Sequence, residues 1–222
     1  AIFFGAALGN VVRGVPLNEE GYFFSPLWTT FTVRPEAGIL DWFTVMMGLV
    51  GLATLKVHGA NYLAMKTTGV VQERSRRVAS FAVWGVLALS VATLIASSSI
   101  HPEIWTNYSE HFWGYIFPLV ALFGMGGMFY FNRTKQDAKA FLSSASFIGG
   151  MLASTAFGLF PNVLPASTDS KYSLTVYNTA AGEYGLGVGL IWWSIGIVIA
   201  LGYFTYLFYS FRGKVKIHSD GY

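Results

Sequence analysis

The chain has 222 residues, of which 54% are hydrophobic, 17% aromatic and 11% charged, with 14 Lys and Arg against 11 Asp and Glu. A water-soluble domain carries about 25% charged residues, so this chain has too few charges to wet a globular surface, and its mean hydropathy of +0.50 excludes a soluble enzyme, a nucleic-acid-binding domain and a disordered chain. It has no cysteine, hence no disulfide framework, thiolate metal site or thiol nucleophile.

In chain order, residues 1–12 form an apolar piece too short to cross a bilayer. With no basic n-region and no initiator Met it does not read as a signal peptide; it reads as the last half of a helix whose beginning is absent. A connection from Arg13 to Asp41 follows, in which Glu19 and Glu20 make a solvated turn between Pro16 and Pro26. The first full span is expected at about residues 39–65, interrupted by Lys56 and His58. Beyond it, Asp, Glu, Lys and Arg are absent from Val78 to Pro102, from His111 to Asn132, from Ala140 to Thr168 and from Tyr184 to Phe211. Each gap exceeds the roughly 20 residues that a helix needs to cross a hydrocarbon core of about 30 Å. Spans are therefore expected at about 79–97, 112–131, 140–160 and 187–209, with a tail at 212–222. Between the last two, Pro161 and Pro165 end a helix and fix an extended exit, and Ser167, Thr168 and Ser170 make a polar loop. The expected fold is all-α and polytopic: a transmembrane helical bundle of five complete spans plus one partial N-terminal helix, forming a single membrane domain over residues 1–222. Charge-free runs of this length exclude a β-barrel, whose strands alternate over about 10 residues.

The connections alternate in sign. Residues 66–77, 133–139 and 212–222 carry ten Lys or Arg against three acids, including Lys216 and Asp220, whereas 13–41, 98–111 and 161–183 carry three against eight. By the positive-inside rule the C-terminus is expected in the cytoplasm. Trp105, Trp113, Tyr115, Trp192 and Trp193 fall near expected outer ends and Tyr130, Tyr206 and Tyr209 near inner ones, as an interfacial aromatic belt requires. Trp84, near the inner end of its span, is the exception, with packing within the bundle open to it.

Few residues within the spans can carry chemistry. Ser146, Gly150, Ser154 and Gly158 fall four apart, a small-residue stripe that lets another backbone approach closely in lipid, whether of a neighbouring helix, a second subunit or a cofactor tail. A lysine at mid-membrane is costly, so Lys56 is expected either to snorkel or to pair with a carboxylate from another chain. His58, with Tyr62 one turn on, is expected to hydrogen-bond inside the bundle, the alternative being haem ligation or proton relay. A haem held by two histidines is excluded, because His101 and His111 fall in a connection and His218 in the tail. His101, Glu103, Glu110 and His111 match no metal-site spacing. Gly185, Gly187 and Gly189 lack the third glycine position and the preceding strand of a dinucleotide loop. No catalytic residue, metal ligand or cofactor ligand is assigned.

Three stretches together resemble one family. Gly9-Asn-Val-Val-Arg-Gly-Val-Pro16 resembles the segment after the fourth helix in subunit II of cytochrome bd quinol oxidases. His58-Gly-Ala-Asn-Tyr-Leu-Ala-Met-Lys-Thr-Thr-Gly69 resembles the inner end of the next helix. Phe160-Pro-Asn-Val-Leu-Pro-Ala-Ser-Thr168, with Tyr172-Ser-Leu-Thr175 and Asn178, resembles the outer loop before the last helix. The resemblance implies a haem-free accessory subunit of a quinol:oxygen oxidoreductase in the prokaryotic plasma membrane. In that family a haem-bearing subunit I holds haem b and haem d, quinol is oxidised, oxygen is reduced to water and a proton gradient arises without pumping. It further implies contact with membrane lipids and the quinone pool, a bound structural quinone or lipid, and in some members a small single-helix subunit. The family's subunit II has about nine helices, so the first ones, with their acidic residues, are expected to be missing here, and no proton-route residue is carried over. The rival reading is a fragment of a secondary transporter, which calls for broken helices, an intramembrane charge network and an inverted repeat; Lys56 alone is thin support for it.

Overall fold

The computed structural model describes residues 1–34 and 37–215; Glu36 and the tail residues Lys216, His218 and Asp220 lie outside them. Its helices are α1 (Ile2–Arg13), α2 (Trp42–Lys66), α3 (Gly69–Ile100), α4 (Thr106–Glu110), α5 (Ile116–Arg133), α6 (Asp137–Leu159) and α7 (Glu183–Ser210). Five are long and apolar enough to cross a membrane: α2, α3, α5 with the turn at 112–115 that leads into it, α6 and α7. They run alternately between an acidic end, which holds the connections 14–41, 101–115 and 160–182, and a basic end, which holds the turns at 67–68 and 134–136.

Helix ends follow local chemistry. Asp41 starts α2 with a capping box: its carboxylate accepts from the N–H groups of Phe43 at 2.8 Å and Thr44 at 2.9 Å, and its own N–H donates to Thr44 Oγ1 at 2.9 Å. Two N–H groups that the first turn leaves without helical partners are thereby satisfied. Helix α3 begins ten residues before the expected span, at Gly69. Hydropathy stops at Arg77, but arginine is a good helix former, so the helix continues past the apolar run through Arg74 and Arg76.

The helices meet through glycine. A Cβ added to Gly150 of α6 would stand 2.5 Å from the backbone N of Ala121 in α5, and one on Gly124 of α5 would stand 2.5 Å from the backbone N of Phe147. Without side chains at these points the two backbones come into van der Waals contact, which drives helix association where lipid is as apolar as the helix surface. Gly5 of α1 meets Met47 of α2 in the same way, at 2.6 Å from its carbonyl oxygen. Around these contacts Val57, Val83, Val86, Met125, Met128 and Phe147 form the main apolar core, and Val12, Phe43 and Leu159 a smaller one. Trp84 is not inside the bundle: it stands 62% exposed, its ring edge-on to Phe129 at 4.7 Å. Its span already fills the core with the smaller Val83 and Val86.

Two connections are stitched together at the acidic end. The Val15 N–H donates to the Pro165 carbonyl at 3.0 Å, and the Ser167 N–H donates back to the Val15 carbonyl at 2.9 Å. The chain turns into this bridge at Gly14, whose φ of 87° lies where a residue with a Cβ is strained. Strands β1 (Asn162–Leu164) and β2 (Leu174–Thr175) then pair antiparallel. Helix α7 stands apart, with none of its residues buried. At the basic end Lys66 Nζ donates to the Phe211 carbonyl at 2.7 Å and the Val215 N–H to the Lys66 carbonyl at 2.8 Å. A helix apolar all round and unburied along its length suits a surface that lipid or protein covers.

The glycine contacts give a paired test. Gly150→Leu should destabilise the protein by about 1–3 kcal/mol, the range for overpacking a filled interface. Gly149→Leu, where a Cβ would meet nothing within 4 Å, should leave thermal unfolding in detergent unchanged.

Candidate functional site

Polar side chains join the helices at three levels. At the acidic end Arg13, the last residue of α1, is 3% exposed and ion-paired with Asp41, which is 0% exposed. The guanidinium also donates to the Asn10 side-chain oxygen at 2.7 Å and the Gly38 carbonyl at 2.9 Å, and the Asn10 amide donates to the Ile39 carbonyl at 2.9 Å. One Asp41 oxygen caps α2 while the other takes Arg13, so the buried carboxylate is satisfied on both sides. Beside the pair lies a cleft of about 510 Å³ bordered by Phe24, Ser25, Val33, Arg34 and Ser167.

In the middle of the bundle α2 and α6 exchange polar contacts. His58 Nδ1 and Ser144 Oγ are 2.8 Å apart, and the imidazole stacks on Phe141 with ring centres 4.7 Å apart. One turn on, Asn61 is buried and its amide donates to the Ala140 carbonyl at 3.3 Å. At the basic end Arg76 of α3 makes a two-pronged contact with Asp137, which starts α6, both bonds being 2.7 Å. Gln72 donates to the same carboxylate at 2.8 Å and to the Ala64 carbonyl at 3.1 Å, tying in the end of α2.

The residues singled out in the sequence are placed as follows. Of the small-residue stripe, Gly150 meets Ala121 of α5, Ser154 meets the Tyr108 hydroxyl of α4 at 2.7 Å, and Gly158 abuts Ile104. Those three contacts lie within the chain, so this part of the stripe is filled by the chain itself. Ser146 differs: it is exposed and lines a shallow groove with Phe123, Phe131, Lys139 and Leu142. Tyr62 is 39% exposed and packs on Phe141, and its hydroxyl bonds to no described residue. Lys56 is exposed on α2 and makes no hydrogen bond or ion pair with a described residue. Near the end of α3, burial pushes His101 below its ordinary pKa and Arg34 adds to this, while Glu103 opposes it.

Sequence reasoning missed the strongest contacts. In sequence Arg13 and Asp41 read as the two ends of a connection, and Arg76 and Asp137 as charges of the basic loops. The Asp41-x-x-Thr44 capping pattern was legible as a helix start, but nothing in the spacing announces a pair formed across 28 residues. His58 is the one histidine within a described span; its Nδ1 is engaged by Ser144 and its ring face by Phe141. Among the described residues no three His, Cys, Asp or Glu side chains cluster as a metal site.

A family model described as cytochrome bd terminal oxidase subunit II matches residues 1–211. The chain is similar to a Haemophilus influenzae protein named probable cytochrome oxidase subunit 2, with 27% identity over 97% of this chain and 62% of that protein. It is 25% identical to the cytochrome bd ubiquinol oxidase subunit 2 of Bacillus subtilis, over 97% of this chain and 63% of the relative. With the cytochrome bd-I ubiquinol oxidase subunit 2 of Escherichia coli K12 it shares 24% identity, over 95% and 61%. The chain thus spans about three-fifths of the length of these relatives. Two of the stretches quoted for the resemblance, 9–16 and 160–168, meet in the bridge between Val15, Pro165 and Ser167.

Removing one partner of a buried ion pair leaves the other charge uncompensated, at a cost of about 3–5 kcal/mol. Arg13→Met and Asp41→Asn should each lower the unfolding temperature strongly, and the double substitution should cost less than the sum of the two. A double-mutant cycle followed by thermal unfolding in detergent measures that coupling.

Proposed function

The chain belongs to the cytochrome bd terminal oxidase subunit II family, and from that premise we propose that it acts as the haem-free accessory subunit of a quinol:oxygen oxidoreductase. In this reading a haem-bearing subunit I carries haem b and haem d, oxidises quinol to quinone and reduces oxygen to water, and builds a proton gradient without pumping. This chain gives that subunit a rigid helical neighbour. The complex lies in the bacterial plasma membrane with the basic end and the C-terminus in the cytoplasm, in contact with lipid and the quinone pool, and a small single-helix subunit joins it in some members. The observation that carries the reading is the family match over nearly the whole chain. The use of the polar groups supports it as well: Arg13, Asp41, His58, Ser144, Arg76 and Asp137 all hold helices to one another.

The roles follow from the chain's own groups. The acidic-end pair sets where α1 stops and α2 starts, His58 and Asn61 hold α2 on α6, and the Arg76–Asp137 contact locks the basic ends of α3 and α6. None of these presents a free base, acid or nucleophile toward a pocket. The haems, in the partner, supply electron transfer and oxygen chemistry, and the supporting helices keep water and lipid from disturbing the face they cover.

The test is purification of the full protein by a tag on this subunit, expressed with the haem-bearing subunit of the same organism. The expected result is a coloured complex with reduced b- and d-haem bands and quinol-dependent oxygen uptake. A colourless preparation lacking the haem subunit would overturn the proposal, and solute uptake by liposomes reconstituted with it would support a transporter. In the coloured complex His58→Ala should leave the haem bands intact and lower only thermal stability, by about 1 kcal/mol for one lost interhelical hydrogen bond.

A further inference from the structure

The interior of the bundle turns polar toward the basic end. Val57 of α2, Val83 of α3, Met128 of α5 and Phe147 of α6 belong to one apolar cluster. Beneath it each helix gives the interior one residue: Asn61 of α2, Ala79 of α3, Asn132 of α5 and Ala140 of α6. Asn61, Ala79 and Asn132 each stand one turn from their helix's member of the cluster and on the same face. Ala140 marks the level. The Asn61 amide donates to its carbonyl, and the antiparallel register of α5 on α6, with Gly124 against Phe147 and Gly127 against Ser143, carries Asn132 to within a turn of it. One turn beyond Ala140 is Asp137, with its contacts from Arg76 and Gln72.

Two atoms in this layer are left over. Asn61 is 1% exposed and its Oδ1 is buried with no hydrogen-bond partner; Asn132 Nδ2 is buried and likewise unpartnered among the described residues. One is an acceptor and the other a donor, yet they do not bond to each other. Helices α2 and α5 both pack on α3 and on α6, so they stand diagonally across the bundle. The backbone cannot answer Asn61 either, because within a helix each N–H is already given to the carbonyl four residues back. The bond from its amide nitrogen to the Ala140 carbonyl, at 3.3 Å, fixes which end of the side chain is the oxygen. Between the two asparagines the other diagonal holds only the small, buried side chains of Ala79 and Ala140. Asp137 has a position open as well: its oxygens accept three hydrogen bonds, and a carboxylate has about four lone-pair sites.

We infer that this layer binds internal water, which accepts a hydrogen bond from Asn132 Nδ2, donates to Asn61 Oδ1 and gives its remaining proton to the open site on Asp137. Leaving a buried polar atom unpaired is costly, and a water making about three bonds to otherwise unpaired groups is the usual remedy inside a folded protein. Water suits this layer because the two leftover atoms need one small group that both accepts and donates. It joins α2 to α5, which share no direct polar bond among the described residues, and so fastens the basic end of the bundle as Arg13 and Asp41 fasten the acidic end. The layer is enclosed by the chain's own four helices, so it holds whatever covers their outer surfaces.

The experiment is X-ray radiolysis of the full protein in detergent, with the subunits that copurify with it, because radicals formed from a bound water oxidise the side chains beside it. Met128, 1% exposed and one turn from Asn132, should be oxidised faster than Met125, which is 7% exposed but lies deeper in the apolar cluster; exposure to bulk water alone gives the opposite order. In the double variant Asn61→Leu, Asn132→Leu the rate at Met128 should fall to that of Met125. Equal rates in the wild type, or a faster Met125, would overturn the inference, as would an unchanged Met128 in the double variant. Thermal unfolding of the two single variants and the double gives a second reading. Groups joined through one water are coupled, so the double should lose less than the sum of the singles; strictly additive losses mean that Asn61 serves Ala140 alone and count against the water. Should the double variant fail to fold, the comparison of the two methionines in the wild type decides.

Discussion

The buried ion pair between Arg13 and Asp41 sets the geometry on which the rest of the bundle depends. Asp41 supplies the N-cap of the first full span, and Arg13 closes the helix before it. Because both are out of water, neither can move without stranding the other, so the axial register of α1 on α2 is set within one turn. Gly5 and Gly9 then fall opposite Met47 and Thr44, where the absence of side chains lets the two backbones meet. The connection between the helices is drawn in as well, through the Gly38 and Ile39 carbonyls, and Gly14 releases the chain into the bridge with Pro165.

The same economy recurs through the molecule. A chain in lipid must satisfy its polar groups internally, because hydrocarbon offers no donors or acceptors. Here the few available groups are spent at the ends and the middle of the helices: Arg13 with Asp41, His58 with Ser144, and Arg76 with Asp137 and Gln72. Between these levels the packing is done by glycine and by medium-sized apolar side chains. With its polar groups engaged in this way, the chain is suited to holding a neighbour in place rather than to moving protons or electrons itself. Among the described residues Thr54 Oγ1, Asn61 Oδ1 and Ser90 Oγ are buried without a hydrogen-bond partner, and Lys56 and the unburied α7 face away from the described core.

Much of this was legible in the sequence. The four long gaps between charges reveal four crossings, because charges are costly in hydrocarbon, and the apolar run at 39–65, interrupted by Lys56 and His58, gives the fifth. The alternation of basic and acidic connections gives their relative directions, and the Ser146–Gly158 spacing marks a face for close approach. What is missing from that reading is of one kind. Arg13 and Asp41, 28 residues apart, or Arg76 and Asp137, 61 apart, look like ordinary loop charges until the helices are assembled, since local spacing carries no information about which distant side chain arrives. Tyr62 and Ser146 show the converse: sequence puts them on the right helices, but only the packing of α5 and α6 decides that both lie at the surface.

By itself, then, the sequence determined that the chain lives in a membrane, how many times it crosses and which ends lie together, because these depend on hydropathy and charge summed along a local segment. Only the tertiary structure decided which charges are buried as pairs, which glycines touch backbone and which lysine meets no partner among the described residues. Those depend on the relative rotation and register of helices, and these are settled by contacts between residues far apart in the chain.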